Sequence, residues 1–397
     1  MGSIRSIFLL VVIIQMLMSS LAFSQNNTVA SIPFTLNNDH IIIKINLNGS
    51  GDLNFLFDSG AGGTLISKSV VDSLGFKKLT TRKNVGVSGA HEVDLIKGVK
   101  LSVQGKKLGN ISLLSTNTHF EELDNGQKVD GVIGYPILSK YVVEINYANN
   151  LIKLYHTSSY SYSGEGKVVP LYLVYNLPIA DANFSLYNKV VIKGNFLMDT
   201  GARSDVIISA PTVVKYELAE NIGDFYTVRK RIGSSGRRTK LRYGRLASLE
   251  IAGYDFKNIP VALSSDDKGI LANPSFDGII GNRLLKRFNV IFDYEHKVLY
   301  LEPSILMGSN YTINASGFNL VFKSGKPYIT NVIDRSPADK AGLKSGDEII
   351  SINTILVANL TSTEIREYFK KPGNSIEIVI KRNKKLKYTK FTLKSLI

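Results

Sequence analysis

The chain has 397 residues, of which 44% are hydrophobic and none is cysteine, and its formal net charge is +15. This length is sufficient for two or three domains with their own cores, and the hydrophobic content excludes a disordered chain. The lack of cysteine excludes disulfides, thiolate metal ligands and a cysteine nucleophile.

The N-terminal segment has the pattern of a signal peptide. Arg5 precedes an apolar run over residues 7–18 that only Gln15 interrupts, and small residues follow up to Ser24. This pattern predicts a signal peptide over residues 1–24 and export to the periplasm or out of a bacterial cell, with an uncleaved signal anchor as the alternative. An exported chain without cysteine fits a bacterial protein better than a disulfide-rich eukaryotic one.

Residues 30–303 have the pattern of a β protein. Short alternating runs such as His40–Leu47 are separated by Gly, Asn and Ser turns, and only short helices are predicted, for example over 68–74 and 136–139. A connector rich in Ser, Gly and Tyr at 157–166 divides this region into two parts. We call them lobe 1 (residues 25–158) and lobe 2 (residues 163–304).

The two lobes repeat one another. Asp58-Ser-Gly-Ala in lobe 1 corresponds to Asp199-Thr-Gly-Ala in lobe 2, and each is followed at similar spacing by Asp-Gly, two aliphatic residues and Gly, at 130–134 and 277–281. A predicted β-hairpin follows in each copy, with its turn at 149–150 or 295–296. The repeat indicates one domain-sized unit present twice.

The repeated turns predict a pair of carboxyls. Gly60 and Gly201 allow two backbones to approach closely, and the hydroxyls of Ser59 and Thr200 can bond from one turn to the other. Two adjacent carboxyls share a proton, so that one can deprotonate water while the other donates to a carbonyl. We interpret Asp130, Asp277 and Asp205 as turn residues that hydrogen-bond to their own backbone.

These motifs resemble those of aspartic proteases. The resemblance implies a mainly β fold of two homologous β-barrel-like lobes with the active site between them, Asp58 and Asp199 as catalytic residues, and Ser59, Gly60, Thr200 and Gly201 in the supporting loops. Ala61 and Ala202 follow the Asp-x-Gly turns, as in the retroviral type, where pepsins carry a hydroxyl. Since a hydroxyl would stabilise the ionised carboxylate, its loss predicts raised pKa values and an optimum in mildly acidic to neutral solution.

The resemblance also implies flap hairpins over the cleft. Gly86, Ser88 and Gly89 are the flap candidates of lobe 1, and residues 231–241 occupy the matching place in lobe 2. No cofactor and no metal are expected, because the five histidines lack ligand spacing. A Ser-His-Asp site stays open as an alternative, although no Gly-x-Ser-x-Gly motif is present.

The tail, which we call the C-terminal domain (residues 315–397), has a different character. Strands are predicted at 327–332, 347–352, 375–381 and 387–393, with helices at 337–342 and 362–371. The run from Ser336 to Asn353 resembles the signature of PDZ domains, small α+β domains that bind peptide C-termini. The resemblance implies peptide-binding residues at Gly317, Phe318, Leu320 and Ile365.

Much of the positive charge lies in two segments. Residues 229–245 contain eight Lys or Arg and no acidic residue, and residues 317–397 contain fifteen against seven. Peripheral contact with an anionic envelope surface is one interpretation, and an ordinary solvated surface is the other. No basic groove interleaved with aromatic residues is present, so no nucleic-acid partner is expected.

The sequence therefore predicts a monomeric, exported aspartic endopeptidase that acts on a peptide or protein substrate. Its PDZ domain would bind a substrate or partner peptide. The alternative is a catalytically inactive, protease-like protein that binds peptides through its PDZ domain.

Overall fold

The computed structural model describes residues 28–86, 89–117, 128–188, 190–231, 238–311 and 313–397. The predicted signal peptide, Ser88 and residues 232–237 of the predicted lobe 2 flap segment lie outside these ranges. Within them, no helix combines the length and apolar character needed to span a membrane.

Lobe 1 is built mostly from antiparallel strands, as its alternating sequence predicts. Its strands are β1 (Thr28–Asn37), β2 (His40–Leu47), β3 (Leu53–Phe57), β4 (Thr64–Ser67), β5 (Thr80–Gly86), β6 (Gly89–Val103), β7 (Lys106–Thr116), β8 (Gly131–Ile133), β9 (Tyr141–Asn146) and β10 (Leu151–His156). Its helices are α1 (Lys68–Ser73) and α2 (Tyr135–Leu138), close to the predicted ranges. A 3₁₀ turn follows at Thr157–Ser159.

Lobe 2 has the same character. Its strands are β11 (Lys167–Pro170), β12 (Tyr172–Val174), β13 (Leu177–Ser185), β14 (Val191–Asp199), β15 (Val206–Ile208), β16 (Tyr226–Arg231), β17 (Arg238–Ile251), β18 (Tyr254–Ser264), β19 (Gly278–Gly281), β20 (Phe288–Asp293) and β21 (Val298–Pro303). Its helices are α3 (Ala210–Lys215), α4 (Leu218–Asn221) and α5 (Asn282–Leu285), with a 3₁₀ turn at Ile270–Ala272.

The strand order shows that the two lobes share one topology. Lobe 1 has the order β2-β3-β8-β4-β7-β6-β5, and lobe 2 has the order β13-β14-β19-β15-β18-β17-β16. In each lobe one further pairing, β2 with β6 or β13 with β17, closes the sheet on itself. The prediction of a mainly β protein with two homologous barrel-like lobes is therefore confirmed.

A continuous sheet joins the lobes. The terminal hairpins of the two copies, β9–β10 and β20–β21, meet where β9 pairs antiparallel with β20, with Val143 opposite Phe292 and Ile145 opposite Val290. β1 extends this sheet at one end and β11 extends it at the other. The sequence predicts both hairpins but not their pairing, because an antiparallel contact between distant segments leaves no local pattern.

The C-terminal domain has a separate core. Its strands are β22 (Asn319–Lys323), β23 (Lys326–Thr330), β24 (Glu348–Ile352), β25 (Ile355–Leu356), β26 (Ser375–Arg382) and β27 (Lys385–Thr392). Its helices are α6 (Pro337–Lys340) and α7 (Ser362–Glu367), with a 3₁₀ turn at Val357–Asn359. Ser336 caps α6, and Thr361 and Glu364 form a capping box at the start of α7.

A polar turn of lobe 1 reaches into lobe 2. Asp39, in the β1–β2 turn, accepts from Arg283 Nε at 2.9 Å and Lys286 Nζ at 2.6 Å, and its carbonyl accepts from Asn282 Nδ2 at 2.7 Å. Burial alone would raise the pKa of Asp39, but the two cations outweigh burial and the pKa is lowered. The carboxylate is therefore charged and ties the lobes together.

We expect Asp39→Asn to destabilise the protein by roughly 1.5–3 kcal/mol, because two cations lose their charged acceptor. The loss should be present above the ordinary pKa range of an aspartate. It should disappear as the pH falls toward the lowered pKa of Asp39, where the wild-type group is also neutral. Urea unfolding followed by circular dichroism measures the difference.

The matched control is Asp52→Asn, which makes the same change at an exposed position of lobe 1. An unfolding midpoint that is equal in the Asp39 variant and the wild-type protein would show that this contact does not hold the lobes together.

Candidate active site

The two repeated Asp turns meet where the lobes join. Asp58 directly follows β3, and Asp199 is the last residue of β14. A Cβ atom on Gly60 would lie 2.6 Å from Asp199 Cγ, and one on Gly201 would lie 2.3 Å from Asp58 Cγ. Each glycine therefore faces the carboxyl of the opposite lobe at a distance that no larger residue permits.

Reciprocal hydrogen bonds join the two turns, as the sequence predicts. The Ser59 amide donates to Thr200 Oγ1, and the Thr200 amide donates to Ser59 Oγ, both at 2.9 Å. The Ser59 hydroxyl donates in turn to the carbonyl of Met198 at 2.6 Å, and the Thr200 hydroxyl donates to the carbonyl of Phe57 at 3.2 Å. Both hydroxyls are buried, so these bonds fix the relative position of the lobes.

The carboxyls accept from their own turns. Asp58 Oδ1 accepts from the Gly60 amide at 2.7 Å. Asp199 Oδ1 accepts from the amides of Gly201 and Ala202 at 2.8 Å and 3.0 Å. These bonds favour the charged form of each group, with two short amide contacts at Asp199.

Burial and proximity raise the pKa of both carboxyls. Burial raises the pKa of Asp58, and the charge of Asp199 and a hydrogen bond between the two side chains raise it well above the ordinary value. Burial also raises the pKa of Asp199, but its hydrogen bond with Asp58 and its amide contacts oppose that rise. Over an extended pH range the pair therefore shares one proton and carries one negative charge.

A short strand supports each turn from below. β8 runs parallel to β3, and the Asp58 amide donates to the carbonyl of Ile133 at 2.9 Å. A Cβ on Gly134 would lie 1.9 Å from the carbonyl oxygen of Asp58, so this position requires glycine. β19 runs parallel to β14 in the same way and brings Gly281 opposite Asp199.

The Asp-Gly pair in each lobe has a structural role. Asp130 Oδ2 accepts from the Asn54 amide at 2.9 Å, and Asp277 Oδ2 accepts from the Asn195 amide at 2.8 Å. Each carboxylate thus fastens the supporting strand to the strand that leads into the Asp turn. Both residues bond to backbone, but the interpretation that they bond to their own turn is wrong, because each donating amide belongs to a distant strand.

Two residues near the pair carry no local sequence signal. His40 Nε2 lies 3.1 Å from the carbonyl oxygen of Gly201, so a lobe 1 side chain contacts the Asp199 turn. Tyr294 is buried, and the charges of Asp58 and Asp199 contribute to raising its pKa well above the ordinary value, after burial itself. A comparison of the two copies could have indicated Tyr294, because Tyr147 precedes the hairpin turn at the same point of lobe 1.

Two of the flap candidates of lobe 1, Gly86 and Gly89, lie at the end of a hairpin ladder. β5 pairs with β6, and Gly86 is opposite Gly89 at the end of the ladder. In lobe 2, β16 and β17 form the matching hairpin, with Arg231 opposite Arg238. The hairpins are confirmed, and their role as flaps stays a prediction.

The peptide-binding candidates of the C-terminal domain lie around β22 and α7. Gly317, two residues before β22 begins, has a φ of 87°, and a Cβ there would lie 2.1 Å from Ser336 Cβ. The side chains of Phe318, Leu320 and Ile365 are buried in the core of the domain. They pack in the interior of the domain, and their role in binding a peptide stays a prediction.

Within the described ranges, no group of three or more His, Asp or Glu side chains is arranged to hold a metal ion.

The matches to family models agree with this geometry. A family model described as aspartyl protease matches residues 43–137 and 187–284, and a PDZ domain model matches residues 315–393. No curated protein matches the sequence. Among solved structures, the chain is similar to an aspartic proteinase from Irpex lacteus, with 14% identity and a TM-score of 0.46 over 70% of this chain and 98% of that chain.

One aspartyl protease match lies in each lobe, and the two matches contain Asp58 and Asp199 at corresponding places. The chain therefore carries an aspartyl protease domain formed by its two lobes, with a PDZ domain at its C-terminal end.

Proposed function

We propose that this protein is an endopeptidase that hydrolyses peptide bonds with water activated between Asp58 and Asp199. The observation that carries the proposal is the pair itself: two carboxyls from equivalent turns, Asp199 buried and Asp58 partly buried, each packed against the glycine of the other lobe. Such a pair holds one proton and one charge next to each other, which general acid–base attack on an amide requires.

The amide bonds suggest the roles, because Asp199 accepts two of them and Asp58 accepts one, which favours Asp199 as the charged partner. Asp199, the charged partner, accepts a proton from water while the oxygen of that water bonds to the substrate carbonyl carbon. Asp58, the protonated partner, donates to the carbonyl oxygen, so that a neutral tetrahedral diol forms. Proton transfer from Asp199 to the amide nitrogen and from the diol to Asp58 then breaks the carbon–nitrogen bond and restores the starting state.

The reciprocal bonds between Ser59 and Thr200 keep the carboxyls in place during this cycle. A shift of one lobe would separate the acid from the base, and small displacements of reacting groups cost large factors in rate. The two glycine-bearing hairpins would close over the bound peptide and exclude bulk water.

The PDZ domain gives the protein a second peptide-binding unit. β22 is the terminal strand of the described sheet, so an extended peptide can add to its edge by main-chain hydrogen bonds. This domain would bind a substrate or partner peptide, and the whole chain would act as a monomer.

Export is part of the proposal and rests on the N-terminal sequence alone. A charged start, an apolar run and a small-residue end over residues 1–24 support a signal peptide. Secretion would place the enzyme in the periplasm or outside a bacterial cell. There the positive surface could contact the anionic envelope.

Cleavage of a mixed peptide library by the purified protein tests the proposed activity. We expect Asp58→Asn and Asp199→Asn each to lower the rate by at least roughly a thousandfold, because each removes one proton-transfer group. Asp72→Asn, at an exposed position on α1, is the matched control and should retain the wild-type rate. Cleavage that survives both active-site substitutions would refute the proposed mechanism. A folded wild-type protein that cleaves nothing would favour the peptide-binding alternative.

We expect the pH–rate profile to have its maximum in mildly acidic to neutral solution. The acid and alkaline limbs of the profile both lie at higher pH than ordinary aspartates would give, because the pKa values of Asp58 and Asp199 are both raised. Activity falls at low pH as Asp199 gains a proton, and falls at high pH as Asp58 loses its proton.

A second variant separates the two limbs. Ala202→Ser places a hydroxyl beside the Asp199 turn, which would stabilise the ionised carboxylate and move the acid limb to lower pH. A wild-type maximum near about pH 2, as the lower pKa values of pepsin-type pairs allow, would contradict the account.

A further inference from the structure

A charged cavity lies between the protease lobes and the C-terminal domain. Its volume is about 300 Å³, and its walls are the β1–β2 turn, the chain at 283–287, the connector at 306–311 and one side of α7. The wall also includes Asp205, which belongs to the chain segment that leaves the Asp199 turn. The cavity therefore adjoins the proposed active site without containing either of its carboxyls.

Positive charge exceeds negative charge in this cavity. Its five cations are Arg283, Lys286, Arg287, Arg366 and Lys370, and its three acids are Asp39, Asp205 and Glu367. The carboxylate of Asp39 binds Arg283 and Lys286, and Glu367 pairs with Lys370 on the exposed side of the C-terminal domain. These two acids are therefore already engaged by three of the cations.

Arg287 provides an independent indication of a ligand. Its side chain is 5% exposed, and its Nη1 donates to the carbonyl of Met307 at 2.9 Å. Its guanidinium also lies 4.3 Å from the ring centroid of Tyr311. Among the described residues its Nε has no hydrogen-bond partner. A buried guanidinium donor without an acceptor is costly, and an anion in the cavity would remove that cost.

The arginines around the cavity repel one another. Burial lowers the pKa of Arg366 to about 10, with a further contribution from the charge of Arg283. Burial and then the charges of Arg366 and Arg283 lower the pKa of Arg203 to about 10 as well. Arg366 belongs to the C-terminal domain and Arg203 follows the Asp199 turn of lobe 2. The excess positive charge therefore lies between lobe 2 and the C-terminal domain.

We infer that this cavity binds a carboxylate of an acidic peptide, held by Arg366 from the C-terminal domain and by Arg287 from lobe 2. The planar guanidinium fork matches a carboxylate, and a group with a single charge fits a cavity that also contains carboxyls better than a dianionic phosphate does. The identity of this peptide as a substrate rests on the proposed function, whereas the binding does not. An acidic substrate would contact both units at once and remain close to the Asp199 turn.

Isothermal titration calorimetry on the full-length protein tests the inference without requiring cleavage. The probes are acetyl-Glu-Glu-Glu with a free carboxylate, its C-terminal amide, acetyl-Gln-Gln-Gln with a free carboxylate, its amide, and inorganic phosphate. We expect the acidic tripeptide to bind and to weaken as salt is added, and the uncharged glutamine amide not to bind. The amide of the glutamate tripeptide has only side-chain carboxylates, and the glutamine tripeptide has only a terminal carboxylate. Comparing these two shows which kind of carboxylate is bound.

Substitutions then locate the site. Arg366→Gln should weaken binding of the acidic tripeptide about tenfold, as the loss of one charge-assisted hydrogen bond does. Lys370→Gln is a second variant from the same side of the cavity and should also weaken binding. Lys381→Gln removes one charge from an exposed position of the same domain outside the cavity and should leave binding unchanged. Thermal unfolding of each variant checks that it is folded.

Several results would overturn the inference. These are equal binding of the acidic tripeptide and the glutamine amide, binding of phosphate without the tripeptide, and equal loss of affinity in the cavity variants and Lys381→Gln. Acidic peptide binding by a protein that cleaves no peptide would refute the proposed function and leave this site standing. Cleavage of peptides by a protein that does not bind the acidic tripeptide would support the proposed function and refute this site.

Discussion

The close approach of two carboxyls, one buried and one partly buried, is the constraint on which the rest of the protease unit depends. Two like charges cannot both persist in a buried site, so one group must keep a proton. That arrangement requires the turns to meet at bonding distance, which only Gly60 and Gly201 allow. It also requires the lobes to be held in a fixed relation. The reciprocal Ser59–Thr200 bonds and the sheet that continues from β9 to β20 provide this.

The two lobes share a topology but differ in what surrounds each Asp. The β1–β2 turn of lobe 1 carries Asp39, which binds two cations of lobe 2. In lobe 2, the corresponding turn carries Tyr175, whose carbonyl oxygen would lie 3.0 Å from a Cβ on Gly62. The contact beside the Asp199 turn is therefore charged, and the contact beside the Asp58 turn is neutral. The two lobes thus differ in the electrostatic surroundings of their Asp turns. The inferred peptide-carboxylate site therefore lies on the Asp199 side, next to the PDZ domain.

The sequence predicts the repeated parts well because they obey strong local rules. Both Asp turns, the bonds between Ser59 and Thr200, the terminal hairpins and most elements of the PDZ domain follow from turn residues, alternation and spacing. The contacts of Asp39, His40 and Tyr294 do not, since each joins segments far apart in the chain. No local pattern specifies which distant cation an acidic turn residue will meet. The cavity beside α7 is missed for the same reason, because its charges come from both protease lobes and the PDZ domain.

The most direct test of the central claim is the affinity for a peptide in which a statine hydroxyl replaces the scissile bond. Such a group mimics the tetrahedral diol that should form between Asp58 and Asp199. The account predicts binding to the wild-type protein and a loss of at least about a hundredfold in affinity in Asp58→Asn and in Asp199→Asn, as expected for a transition-state mimic that has lost its partner. Equal affinity in the wild-type protein and both variants would show that the two carboxyls do not form one site.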